Sequence, residues 1–137
     1  MTTLSEPPLP RLIPESEFFW TAGRDGVMRV LRCADCGIFA HPPTPQCRTC
    51  GSTGMAPSEV SGRATLWTWT VSYQQLVPSL DVPYTVAVVA LDEQPDVHLT
   101  TRLVEVPLED LRVGLPLQVH FEQHGEVFLP LFTLAHR

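Results

Sequence analysis

The hydrophobic pattern changes period twice along the chain. From Pro14 to Gly23 it is helical: Pro14 suits a first helical position, Glu15 and Glu17 complement the positive helix end, and Gly23 can stop the helix. The pattern predicts a helix of about ten residues, too short to persist without tertiary support. It carries Phe18, Phe19 and Trp20 in succession. At 100° per residue these three fan across about 200° of surface, too wide for one narrow buried stripe. Either all three pack on the chain's own core, or one side meets another protein.

Beyond the helix the period falls to two. Val27 to Arg32 reads as a strand and Ile38 to His41 as its return, closed by Pro42 and Pro43. Gly51 to Gly54 loosens the chain, and Ser61-Gly62 opens a second pattern. Five strand candidates follow at 64–75, 83–91, 97–104, 117–122 and 127–134, with a helical turn at 107–111. In the first of them, alternation puts Trp67, Trp69, Val71 and Tyr73 on one face and Leu66, Thr68, Thr70 and Ser72 on the other. The second is almost wholly apolar, as a strand covered on both faces would be. A long strand, two more, a short helix and a final pair is the order of an OB-type barrel. The expected fold is therefore mainly β. An arm and aromatic helix occupy 1–26, a ribbon 27–60 and a five-stranded barrel 61–137.

The ribbon is where the chemistry concentrates. Cys33-Ala34-Asp35-Cys36-Gly37 and Cys47-Arg48-Thr49-Cys50-Gly51 hold all four cysteines, with ten residues between the pairs. Two thiolates from one tight turn grip a metal from one side, and a second pair completes a tetrahedron. Cys33, Cys36, Cys47 and Cys50 thus read as the ligands of one structural Zn²⁺. Two disulfides or a redox pair are the other readings; a redox CxxC opens a helix in a βαβ unit, and these pairs sit on turns. Four sulfur ligands leave no coordination position for water, so the metal holds structure and performs no reaction.

Composition narrows the setting. The 137 residues include 14 prolines and are 44% hydrophobic, which suits one packed, turn-rich β domain with an attached module. No apolar run approaches the roughly 20 residues that span a bilayer. The first fourteen residues do not read as a signal peptide, so thiolate chemistry points to a reducing cytoplasm. The net charge is −6 and every basic residue is arginine. Between 24 and 63 stand Arg24, Arg29, Arg32, Arg48 and Arg63 against Asp25, Asp35 and Glu59, or +2; the remainder holds four arginines against twelve carboxylates. Nucleic acid is disfavoured as a partner by that balance. An anionic ligand would find its place near the ribbon, where Arg29, Arg32, Arg48 and Arg63 could meet phosphates.

No sequence motif supplies a catalytic centre. Glycine-rich phosphate loops, a GxSxG elbow and HExxH are all lacking. His120, Glu122 and His124 would share one strand face and so could hold a second metal, although a solvated strand end explains them as well. The expectation is that the chain does not catalyse a reaction unaided.

Several blocks together resemble a known family. They are Glu17-Phe18-Phe19-Trp20, Gly26, Leu31 to Gly37, His41-Pro42-Pro43, Cys47 to Ser52, Ser61-Gly62-Arg63, Trp69-Thr70-Val71, Pro83 to Ala87, Leu91-Asp92, Leu111 to Pro116 and Val119 to Glu122. From about residue 14 to the end, the chain resembles the thiolase-associated proteins that join a rubredoxin-like zinc ribbon to a C-terminal OB-fold. Two positions depart from the family pattern: Arg48 stands where many relatives carry proline, and Thr44 where they often carry arginine or lysine. The resemblance implies a hetero-oligomeric accessory subunit that docks on a thiolase-superfamily or lipid-transfer-type protein. A CoA thioester would be a shared ligand, and the chemistry would be carbon–carbon cleavage or formation, with retro-aldol shortening of a steroid side chain as one case. Phe18, Phe19 and Trp20 become candidates for the partner contact, and Arg29, Arg32, Arg48 and Arg63 for CoA phosphates. The alternatives are a single-stranded nucleic-acid module, with Trp67, Trp69 and Tyr73 as stacking platforms, and an independent acyl-CoA carrier.

Overall fold

A computed structural model describes residues 8 to 135. The arm expected over 1–13 lies partly outside them; from 8 to 13 the backbone has no regular structure. The helix starts where the proline and acidic residues place it, but it is shorter than expected. α1 spans Glu17–Thr21 and passes directly into a 3-10 turn, Ala22–Asp25. Gly23 does not end it. The stop is Gly26, whose φ of 74° only glycine adopts without strain. Gly23 has another duty: a Cβ there would lie 2.5 Å from Phe128 Cβ and 2.7 Å from Phe121 Cδ1. Its missing side chain lets the turn press onto the strands that carry those rings.

Three strands make the ribbon sheet, in the order β2-β1-β3: β1 Met28–Cys33, β2 Phe39–Ala40 and β3 Met55–Val60. The third strand has no counterpart in the sequence expectation. It pairs with β1 over its full length, from Met28 opposite Val60 to Cys33 opposite Met55. Pro57 hides it from pattern reading, yet β3 is an edge strand, where a residue without an N–H costs no ladder bond on its open side.

The second sheet runs β6-β5-β4-β7-β8, built from β4 Arg63–Ser72, β5 Tyr84–Leu91, β6 His98–Arg102, β7 Pro116–His124 and β8 Val127–Leu134. A 3-10 turn, Leu108–Asp110, stands between β6 and β7. Leu103 bridges Phe132 in parallel, and the Val104 N–H donates to the Phe132 carbonyl at 2.8 Å, which nearly closes the barrel. This is the order expected for an OB-fold.

One detail overturns the simple alternation of β4. A bulge between Leu66 and Thr68 shifts the register against β5. Leu66 is fully buried, and Trp69 also packs on the core, so the two share an inward role instead of facing opposite ways. The extra residue, Trp67, is turned out and stacks on His98 at 4.2 Å between ring centroids. A bulge inserts one unpaired residue and flips the phase of everything after it.

Phe132, Leu66, Leu91, Leu117 and Val89 are fully buried at the barrel centre. The same cluster continues into the ribbon through Met28, Val30, Phe39 and Val60, and into α1 through Phe19. Ribbon and barrel therefore share one core. A side chain reinforces the join: Gln94, in the β5–β6 turn, accepts from the Phe39 N–H at 2.9 Å and donates to the Phe39 carbonyl at 3.0 Å. It occupies the open edge of β2 as a further strand would. Among the described residues no helix is long and apolar enough to cross a membrane.

Candidate metal centre and surrounding surface

Each cysteine knuckle is built the same way. In the first, the Cys33 N–H donates to Ile38 O and the Gly37 N–H to Cys33 O, both at 2.9 Å; in the second, the Cys47 N–H donates to Ser52 O at 2.8 Å and the Gly51 N–H to Cys47 O at 3.0 Å. Gly37 and Gly51 take φ of 81° and 77°, which explains a glycine at the same place in both turns. The residue before each first cysteine fastens its turn. Arg32 Nε donates to Gly37 O at 2.9 Å, and Gln46 Nε2 to Gly51 O at 2.8 Å. Amide hydrogens point at sulfur, from Cys36 to Cys33 at 3.5 Å and from Thr49 to Cys47 at 3.4 Å. Ser52 Oγ donates to Asp35 Oδ2 and ties the knuckles together.

The four Sγ atoms lie within 4.8 Å of one another, and no cysteine is disulfide-bonded. Cys33–Cys50 and Cys36–Cys47 are 3.5 and 3.6 Å apart. A tetrahedron with Zn–S near ~2.3 Å has sulfur–sulfur edges of about 3.8 Å, so the set fits one such ion. Its charge explains why an ion is needed. The Cys36 amide holds Cys33 down at about 6. Cys50 receives similar help from the Ser52 amide, yet the neighbouring Cys33 sulfur pushes it up to about 12. Crowded sulfurs cannot all ionise unless a cation balances them. With Cys33 and Cys47 buried and Cys36 and Cys50 exposed, the cluster sits at the surface with its inner half enclosed.

The other candidates do not gather around this centre as one site. Arg29 pairs with Asp25 at 3.2 Å and Glu59 at 3.5 Å. Arg32 lies over the Phe39 ring at 4.7 Å besides capping its knuckle. Arg63 faces Asp92 at 3.9 Å. Arg48, on the second knuckle, makes no hydrogen bond or ion pair among the described residues and is exposed. Of the three helix aromatics, Phe19 is buried, packed edge-on against Trp20 and 4.7 Å from the His41 ring. Phe18 and Trp20 are half-buried against the same core.

His41 is a feature whose role the sequence did not indicate. Its Nδ1 is buried without a hydrogen-bond partner, and burial lowers its pKa from the ordinary imidazole value. The His120-Glu122-His124 trio is divided. His124 Nε2 and Glu122 Oε1 are 2.8 Å apart, with Arg102 joining the same oxygen at 3.5 Å, while His120 is exposed. Among the described residues only the four cysteines form a cluster spaced to hold a metal.

Comparisons with known proteins agree with this geometry. Residues 20–56 match the ChsH2 rubredoxin-like zinc ribbon domain, and residues 58–122 match the ChsH2 C-terminal OB-fold domain. A probable enoyl-CoA hydratase alpha subunit of Thermomonospora curvata is 30% identical over 129 residues, covering 93% of this chain and 40% of that protein. The 3-oxo-4,17-pregnadiene-20-carboxyl-CoA hydratase alpha subunit of Mycobacterium tuberculosis is 28% identical over 107 residues, 78% of this chain and 33% of that protein. The chain thus spans well under half the length of either relative. Among solved structures, a chain of the Ltp2-ChsH2(DUF35) aldolase superposes with a TM-score of 0.84 at 29% identity, over 93% of this chain and 100% of that one. A DUF35-family protein of unknown function from Sulfolobus solfataricus shares the fold, with a TM-score of 0.62 at 15% identity over 89% and 86% of the two chains. Thiol spacing, barrel order and both domain matches lead to one assignment: the chain belongs to the family that joins a ChsH2 rubredoxin-like zinc ribbon to a ChsH2 C-terminal OB-fold.

Proposed function

We propose that this chain is the accessory subunit of a thiolase-like enzyme that cleaves or forms carbon–carbon bonds in acyl-CoA substrates. The favoured reaction is retro-aldol cleavage of a β-hydroxyacyl-CoA in steroid side-chain degradation, which yields a carbonyl compound and a shorter acyl-CoA. The observation that carries this reading is the likeness to the ChsH2(DUF35) chain of an aldolase, which extends over the whole of that chain. The metal would be one structural Zn²⁺ on Cys33, Cys36, Cys47 and Cys50. It would fix the ribbon and leave the chemistry to the partner, in the cytoplasm.

CoA would be a ligand shared with that partner. Arg48 is the best placed of the four arginines for a CoA phosphate, because the other three are engaged within the chain. The exposed parts of Phe18 and Trp20 remain contact candidates, whereas Phe19 serves the core. Co-expression with the lipid-transfer-type thiolase encoded nearest to this chain tests the reading. A stable hetero-oligomer in size-exclusion chromatography with light scattering is expected; two separate species would reject it.

One observation favours a second reading. Trp67 is 52% exposed and Tyr73 70%, as stacking platforms for single-stranded nucleic acid require. Trp69 is turned into the core, and the net charge of −6 opposes a phosphate polymer. A gel shift with single-stranded DNA and RNA at low salt decides between them, and no retardation is expected.

A further inference from the structure

A cavity of about 710 Å³ opens at one end of the barrel, lined by none of the four cysteines and none of the four arginines considered for CoA. Its walls come from the β4–β5 loop, the end of β6 with the segment that follows, and the end of β7. Several lining groups without a partner can accept hydrogen bonds, while Arg102 uses only Nη2 and keeps Nε and Nη1 as donors. Ser79 Oγ is buried and makes no hydrogen bond. Arg102 and His124 both meet Oε1 of Glu122, which leaves Oε2 without a partner. Asp81 and Glu105 stand exposed at the cavity and make no ion pair or hydrogen bond among the described residues.

Glu105 is the most telling of these. Its φ is 56°, the only left-handed value at a non-glycine among the described residues. Glycine takes that conformation freely, so a glutamate there gains nothing locally to offset its strain. Strain of this kind gathers at ligand-binding places, and here it sets a free carboxylate on the cavity. The ionised groups are Asp81, Glu105 and Glu122 against Arg102, which is −2 with His124 neutral.

Three carboxylates against one guanidinium suit a ligand that is cationic and donates several hydrogen bonds. Lysine and arginine side chains have that chemistry. The rim suits their aliphatic stems: Leu80, Pro107 and Leu108 line the cavity, and Leu108 is 39% exposed. The same β4–β5 loop displays Leu76, 68% exposed, and Tyr73. Large apolar side chains exposed beside an acidic hole are the composition of a protein interface, not of a closed metabolite pocket.

We propose that this cavity receives a lysine or arginine side chain of the thiolase-like partner, with Glu105, Asp81 and Glu122 holding the cation and the β4–β5 loop packing around its stem. The inference rests on the accessory-subunit reading and names the surface it uses.

The test is the affinity of the purified chain for that thiolase, measured by biolayer interferometry at several salt concentrations. Asp81→Lys and Glu105→Lys should each weaken association at least tenfold and flatten its salt dependence, while zinc content and Tm stay as in the wild type. A photo-crosslinker at Leu108 should attach to a partner segment containing lysine or arginine. Reversing that partner residue to glutamate should restore binding to the Glu105→Lys chain. Wild-type binding with unchanged affinity in both variants overturns the cavity assignment alone, and so does a crosslinked segment without a basic residue. Failure of the wild type to bind overturns the accessory-subunit reading with it. Micromolar binding of free spermidine, with partner affinity indifferent to the variants, would give the cavity to a small polyamine and sink the proposal. Variant-sensitive self-association would give it to a second copy and overturn the proposal equally.

Discussion

His41 combines two features that do not suit each other, a buried nitrogen without a partner and an ionisable ring. Burial lowers its pKa from 6.5, so the unfolded chain takes up the proton first as pH falls. Its neutral form therefore supports the fold fully above about pH 6.5 and progressively less below that, until the folded imidazole also protonates. Phe19 lies against the ring, so a flat apolar replacement can be accommodated. His41→Phe should make the decline of Tm between pH 7 and pH 5 shallower than in the wild type. Thermal melts across that range check it; parallel curves would mean that protonation at His41 has no part in acid sensitivity. The cysteine set was legible at this scale because both pairs and their glycines are local in sequence. The orphan nitrogen of His41 was not, because burial is decided by residues far along the chain.

Among the elements, the join between ribbon and barrel is the most informative. Gln94 satisfies both backbone groups of Phe39 from a turn 55 residues away. Gln94→Ala would leave a half-enclosed N–H and C=O without their partner, which costs about 1–3 kcal/mol per group. For the two groups together a loss of about 2–6 kcal/mol is expected in urea titrations. Faster hydrogen exchange at the Phe39 amide should accompany it, and unchanged exchange would show that β2 does not need the clasp. Strand positions in the barrel followed the apolar pattern closely, to the extent that 127–134 is the observed span of β8. Two features escaped it. β3 hides because an exposed edge strand carrying Pro57 has no hydrophobic alternation, and the Trp67 bulge hides because nothing in β4 alone states the register of β5.

For the whole molecule, one core through both sheets makes the metal a support for the entire fold. Residues Phe19, Met28, Val30, Phe39 and Val60 belong to the same cluster as the barrel interior. Removing zinc with a chelator should thus lower the Tm by roughly 10 °C or more, given the size of structural zinc affinities and about 2–4 °C per kcal/mol for a chain of this length. Calorimetry should show one transition moving down, not a ribbon melting under an unaltered barrel. Fold and metal ligands could be read from the chain because each depends on short-range spacing. The acidic cavity could not, since residues 79–85, 102–108 and 122–124 meet only after the barrel forms.

The central claim, that the reaction belongs to a complex and not to this chain, is tested most directly by titrating the purified protein into a fixed amount of the thiolase-like partner. Cleavage of a β-hydroxyacyl-CoA bearing a steroid side chain would be followed at each addition. The rate should rise from near zero to a plateau at a fixed stoichiometric ratio, with this chain inactive by itself. Turnover at an enzymatic rate by this chain alone, or a full rate from the partner without it, would contradict the account.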